Sequence, residues 1–120
     1  MRTILLVEDD DAIRSCIAEG LRMASYGVVA VPTTTDALNA LDSDGQFDLA
    51  VVDVRMPPGH PHGFAFGRMA RLERPDLGLI FMSGDAAVAE ADGGEPPGPV
   101  LLKPVRLSDL IDALEVELIA

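Results

Sequence analysis

Five short apolar runs, separated by stretches whose apolar residues return at helical spacing, constrain this chain more than any other feature. The runs are TILLV (3–7), GVVAV (27–31), DLAVVDV (48–54), LGLIFM (77–82) and PVLL (99–102). They are rich in Val, Ile and Leu and show little strict apolar–polar alternation, so each reads as a strand covered on both faces. Between them, Ile13, Cys16, Ile17, Leu21 and Ala24 recur at helical spacing across 11–25, and Gly27 ends that element. A shorter helix is expected over 35–42, with Ala37, Leu38 and Leu41 inward and one of Thr33, Thr34 or Thr35 as its cap. Phe64, Met69 and Leu72 mark a helix over 63–73, with Pro75 beyond its end. Leu107, Leu110, Ile111, Leu114 and Leu118 mark another over 107–119. Strands alternating with helices require right-handed crossovers and a parallel sheet with helices on both faces.

Five strand–helix units in 120 residues fit one flavodoxin-like, doubly wound α/β domain spanning 1–120. Hydrophobic residues make up 48% of the chain, enough for a core. No apolar run approaches the roughly 20 residues that span a bilayer, and no signal-peptide pattern precedes the first strand. The single cysteine, Cys16, excludes an internal disulfide, suits a reducing cytoplasm and reads as a small core hydrophobe. A formal net charge of −11 argues against a nucleic-acid surface, which needs clustered Lys and Arg.

In open parallel sheets, ligands bind beyond the carboxyl ends of the strands. Here those ends carry Glu8 and Asp9, then Asp53, then Ser83, then Lys103. The first strand runs straight into four carboxylates, Glu8 to Asp11, whose mutual repulsion calls for a positive partner. Asp10 and Asp11 suit the start of the next helix. The others converge on one edge with oxygen ligands for a hard divalent cation, and Mg²⁺ suits one or two carboxylates plus water and phosphate oxygens.

The motifs ILLVEDD, LAVVDVRMP, FMSGD and LLKP fall in order at the ends of four strands, and with them the whole chain resembles the receiver domains of two-component response regulators. The resemblance implies a sheet of order 2-1-3-4-5 and a role for each matching residue. Asp53 would be the phosphoacceptor, taking a phosphoryl group from a histidine kinase or histidine phosphotransfer protein. Asp9, Asp53 and the Arg55 backbone carbonyl would bind Mg²⁺, with Glu8 acting through water. Lys103 would hold Asp53 at rest and the phosphoryl oxygens afterwards, and Ser83 would donate to a phosphoryl oxygen. Pro104 would follow Lys103 through a cis peptide. The chain would be a cytoplasmic phosphoacceptor, a monomer or weak homodimer, relaying phosphate or regulating a downstream protein, with neither nucleic acid nor membrane as partner.

Several features depart from the family pattern. The loop RMPPGHPHG after Asp53 is longer by about two residues and carries His60 and His62, a poor transition-metal site that reads better as a stiffened loop over the cleft. Between Asp85 and Pro99 the Gly and Pro content allows helix only over 86–92, so the helix before the fifth strand is expected to be short or missing and the segment mobile. Val100 stands where the family commonly has a Tyr or Phe that moves on activation. Two rival readings remain: an aspartyl-nucleophile phosphatase or phosphotransferase, and an interaction module that never takes phosphate. The first needs a second Asp two residues after the nucleophile, where this chain has Arg55. Against the second stands the full set of Glu8, Asp9, Asp53, Ser83 and Lys103. With the last helix reaching Ala120, a stand-alone receiver is the expectation, the alternative being the receiver of a hybrid kinase or of a transcription factor; the sequence does not decide between them.

Overall fold

The computed structural model describes residues 1–43, 45–85 and 95–119. In chain order the elements are β1 (Thr3–Val7), α1 (Asp11–Met23), β2 (Gly27–Val31), α2 (Thr34–Asp42), β3 (Leu49–Asp53), α3 (Gly63–Glu73), β4 (Gly78–Ser83), β5 (Val100–Leu102) and α4 (Leu107–Ile119). The strands form one parallel sheet in the order β2-β1-β3-β4-β5. The chain leaves β1 toward one edge, then crosses to the other side for β3, which makes a switch point between β1 and β3. The helix expected over 86–92 lies outside the described residues, as does most of the segment expected to be mobile.

Side chains of β1, β3 and β4 alternate between two cores, which is why these strands read as apolar on both faces. The edge strands β2 and β5, expected to be covered likewise, leave Val29 and Leu102 exposed because each has a neighbour on one side only. Leu5, Val7, Ala50, Val52, Leu79 and Phe81 point to one side, with Ala37 and Leu41 of α2 and Phe64, Phe66 and Ala70 of α3. Ile4, Leu6, Leu49, Val51, Ile80 and Met82 point to the other, with Ala18 and Leu21 of α1 and Leu110 and Leu114 of α4. Burying each such large side chain stabilises the fold by about 1.5–3 kcal/mol before entropy is counted.

Three details differ from the sequence expectations. In α1 the inward stripe is Ala18 and Leu21 with Ile17 half-buried, so Ile13 and Cys16 are exposed. Stepping back from Leu21 at 3.6 residues per turn leads to 18, 17 and 14 rather than 16 and 13. Position 14 is an arginine that donates to the Glu8 carbonyl at 2.9 Å. In α3 the buried face is Gly63, Phe64, Phe66, Gly67 and Ala70, while Met69 and Leu72 are 43% and 84% exposed. Small residues bring this helix close to the sheet: a Cβ on Gly67 would lie 2.7 Å from Phe81 Cζ. The end of α1 turns at Ser25, whose φ is +73°, before Gly27 is reached.

Residues 95–99 are tied to α3 in a way their Gly/Pro composition does not suggest. Arg71 Nη1 donates to the Pro97 carbonyl at 2.9 Å and Arg71 Nη2 to the Leu77 carbonyl at 2.9 Å. Arg68 Nη2 reaches the Glu95 carbonyl at 3.3 Å. The Phe81 amide then accepts its place in the ladder by donating to the Pro99 carbonyl at 2.8 Å.

Candidate functional site

The parallel register brings four strand ends to one edge. Glu8 follows β1 directly and is held there by its amide, which donates to the Val31 carbonyl at 3.1 Å. Asp53 ends β3 opposite Met82, and Ser83 ends β4 opposite Leu102. The Lys103 amide donates to the Ser83 carbonyl at 2.8 Å, so the lysine leaves the sheet beside the serine. Glu8 is fully buried, and Asp53 and Ser83 are 5% and 4% exposed, while Asp9 is exposed. Pro104 follows Lys103 through a cis peptide.

Glu8, Asp9 and Asp53 each offer one carboxylate oxygen, and these oxygens lie within 4.8 Å of one another. Two of them share Lys103, whose Nζ donates to Glu8 Oε1 at 2.8 Å and to Asp53 Oδ2 at 3.1 Å. Burial opposes the charge on Lys103, but hydrogen bonds from Glu8 and Asp53 and the attraction of both carboxylates outweigh it, leaving the lysine pKa raised above its ordinary 10.5. Glu8 Oε2 accepts from the Asp10 amide at 3.2 Å, so both Glu8 oxygens have partners. The donor set is all oxygen and carries three carboxylates against one ammonium, which fits a hard divalent cation.

Two other expected site residues have partners of their own. The Arg55 amide donates to Asp53 Oδ1 at 3.3 Å. The Ser83 hydroxyl donates to the Asp85 carbonyl at 2.8 Å and accepts from the Asp85 amide at 3.1 Å. It is engaged with the turn that follows it, so donating elsewhere requires rotation about χ1.

Above these groups opens a cleft of about 710 Å³ lined by Asp9, Asp53, Ser83, Lys103 and the loop after β3, including His60 and His62. The loop is anchored at both sides. Thr34 Oγ1 donates to the Pro61 carbonyl at 2.7 Å, and Thr35 Oγ1 and His60 Nδ1 are 2.8 Å apart. His62 caps α3, its Nδ1 accepting from the Phe64 amide at 3.3 Å. Gly63 then lies on the backbone that carries Asp53: a Cβ there would meet Val54 Cα at 2.6 Å and the Asp53 carbonyl oxygen at 2.7 Å. Val100, half-buried, packs against the α2–α3 core.

Sequence reading missed the loop anchors and the arginines that brace α3. The signal for the second was present as Arg68, Arg71 and Arg74, spaced by three on one helix. Arg74 grips the end of α2 and the connection to β3, donating to the Gly45 and Leu41 carbonyls at 2.6 and 2.5 Å. For Thr34 and Thr35 there was no local signal, since their partners lie 27 and 25 residues away.

A family model described as the response regulator receiver domain matches residues 4–115. The response regulator receiver protein CpdR of Brucella abortus is 35% identical over 122 residues, covering 100% of this chain and 99% of CpdR. The sensor kinase CckA of the same organism is 35% identical over 109 residues, a match to 84% of this chain and 11% of the kinase. The crystal structure of a response regulator receiver protein from Sinorhizobium medicae superposes with a TM-score of 0.89 at 32% identity, covering 99% of this chain and 95% of that one.

Proposed function

The chain belongs to the response regulator receiver domain family, the phosphoacceptors of two-component signalling, and we propose that Asp53 is the residue that takes the phosphoryl group. The observation that carries this assignment is the position of Asp53: at the end of β3, in the cleft, and hydrogen-bonded to the Lys103 ammonium. The donor is the phosphohistidine of a kinase or phosphotransfer protein. An Asp53 carboxylate oxygen bonds to phosphorus as the P–N bond breaks, and the electron pair leaves with the donor nitrogen.

A carboxylate is a weak nucleophile, so positioning and charge neutralisation must supply most of the rate. Mg²⁺, held by Asp9, Asp53 and the Arg55 carbonyl, with Glu8 acting through water, would neutralise the phosphoryl oxygens and orient them. Lys103 stays with the acidic cluster through Glu8 and is close enough to follow the charge from Asp53 onto the phosphoryl group. Ser83 exchanges its Asp85 partner for a phosphoryl oxygen by rotating its hydroxyl, and that exchange is the switch passed to a downstream protein. Glu8 keeps its two present partners throughout, which supports a role through water.

The domain acts in the cytoplasm, as a monomer or weak homodimer without nucleic-acid or membrane contact. Among the described residues, no helix is long and apolar enough to cross a membrane. Incubation with acetyl phosphate and Mg²⁺, read by intact mass, should add one phosphoryl group. The Asp53→Asn variant should add none, and a persistent shift in that variant would remove Asp53 as the acceptor.

A further inference from the structure

The two imidazoles in the cleft are held differently, and the difference decides what each can do. His62 Nδ1 accepts from a backbone amide, which can only donate, so the ring is fixed with its proton on Nε2 and cannot become an imidazolium without breaking the α3 cap. His60 Nδ1 faces the Thr35 hydroxyl, which can donate or accept, so that ring is held equally well neutral or protonated. Among the described residues no hydrogen bond occupies Nε2 of either ring. The cleft they share with Asp53 has about 710 Å³, within the range of small-molecule sites of roughly 300–1,000 Å³. It has room for the donor's leaving group as well as the phosphoryl group.

We propose that His60 is the proton donor to the nitrogen leaving group of the phosphodonor. The inference rests on the phosphoacceptor assignment of Asp53. In the step, Asp53 oxygen bonds to phosphorus and the P–N pair returns to the donor imidazole. The distal nitrogen of that imidazole takes the Nε2 proton of the His60 imidazolium. The donor leaves as neutral imidazole, and His60 is left neutral with Nδ1–H on Thr35. Without a proton source, the donor would have to leave as an imidazolide, a far stronger base. An acyl phosphate needs no such help, because its carboxylate leaves as a stable anion.

His60 works among charges of both signs. Asp9 after β1, Asp53 on β3, Arg55 in the loop, Asp85 after β4 and Lys103 after β5 line the cleft, and Asp36 follows Thr35 on α2.

The test compares phosphoimidazole with acetyl phosphate, both with Mg²⁺, on wild type, His60→Gln and Thr35→Val, following the phosphorylated fraction by mass after acid quench. General acids commonly contribute about 10²–10⁴-fold. A loss of about 10²-fold is therefore expected for His60→Gln with phosphoimidazole, with acetyl phosphate rates within about twofold of wild type. Thr35→Val, which keeps the imidazole but frees it, should show a smaller loss with phosphoimidazole alone. Equal slowing with both donors, or no slowing with either, overturns the proposal. Failure of both donors to label wild-type Asp53 overturns the phosphoacceptor assignment beneath it.

Discussion

Lys103 Nζ lies 3.1 Å from Asp53 Oδ2, across 50 residues of sequence, and the same nitrogen lies 2.8 Å from the fully buried Glu8. The ammonium therefore bridges two carboxylates, with the Asp9 carboxylate in the same cluster. Removing it leaves Glu8 without its counter-charge in a site that water barely reaches.

Replacing Lys103 with Met should cost about 1–3 kcal/mol at neutral pH, since an uncompensated buried carboxylate is expensive even though the lysine is partly exposed. Mg²⁺ should restore much of that loss, so the melting temperature should respond to MgCl₂ more in the variant than in wild type. The pH dependence has a definite sign. The folded-state pKa is raised, so the contribution of Lys103 is complete below its ordinary value of 10.5 and is lost as pH rises through the raised value. Denaturation profiles should show this alkaline decline in wild type and lack it in Lys103→Met.

Asp9 is exposed, so its charge adds repulsion to the cluster while remaining available to a cation. Asp9→Asn should stabilise the metal-free protein by a few tenths of a kcal/mol to about 1 kcal/mol. It should also weaken Mg²⁺ binding by about tenfold or more. Calorimetric titration that matched wild type would exclude Asp9 as a ligand.

Gly63 separates α3 from the backbone of Asp53. Because the added Cβ of Gly63→Ala would meet backbone atoms of Val54 and Asp53 at 2.6 and 2.7 Å, α3 or β3 must shift. Overpacking of this kind costs about 1–3 kcal/mol. Labelling by acetyl phosphate should slow as well, since the carboxylate moves with its backbone. A variant with wild-type stability and labelling rate would show that the helix can retreat freely.

Arg71 joins α3 to the segment that feeds β5. Its replacement by Met removes two charged hydrogen bonds, to the Leu77 and Pro97 carbonyls, at an expected cost of about 2 kcal/mol. The sensitive readout is the Phe81 amide, which donates to the Pro99 carbonyl two residues beyond Pro97. Its hydrogen exchange should accelerate more than that of Val52, in the middle of β3. Uniform acceleration would mean that Arg71 contributes only to global stability.

Much of the fold was legible because its signals are local. Short Val/Ile/Leu runs bounded by turn residues marked strands to within a residue or two, and Thr33 capped α2 as its type and place suggested. Burial phase was less legible. Periodicity weighted by size selected Met69 and Leu72 for the α3 face, whereas close approach to the sheet selected Gly63, Gly67 and Ala70. Cys16 was misplaced for a related reason: Ile13 and Cys16 share an apolar stripe in sequence, but the helix turns Ala18 and Leu21 inward, with Arg14 bonded to the Glu8 carbonyl.

The sequence by itself determined the order of the strands along the chain, the burial of β1, β3 and β4 on both faces, and the delivery of Glu8, Asp9, Asp53, Ser83 and Lys103 to strand ends. Each of these follows from residue type and spacing within a few positions, which is the range over which backbone preference and side-chain periodicity act. Only the tertiary structure decided the partners. Lys103 lies 95 residues from Glu8, Thr34 lies 27 from the Pro61 carbonyl, and Arg71 lies 26 from that of Pro97. The ordinary distance dependence of charge and hydrogen bonding makes such pairs count only once the sheet has folded and brought them within about 3 Å. No window of sequence contains that information.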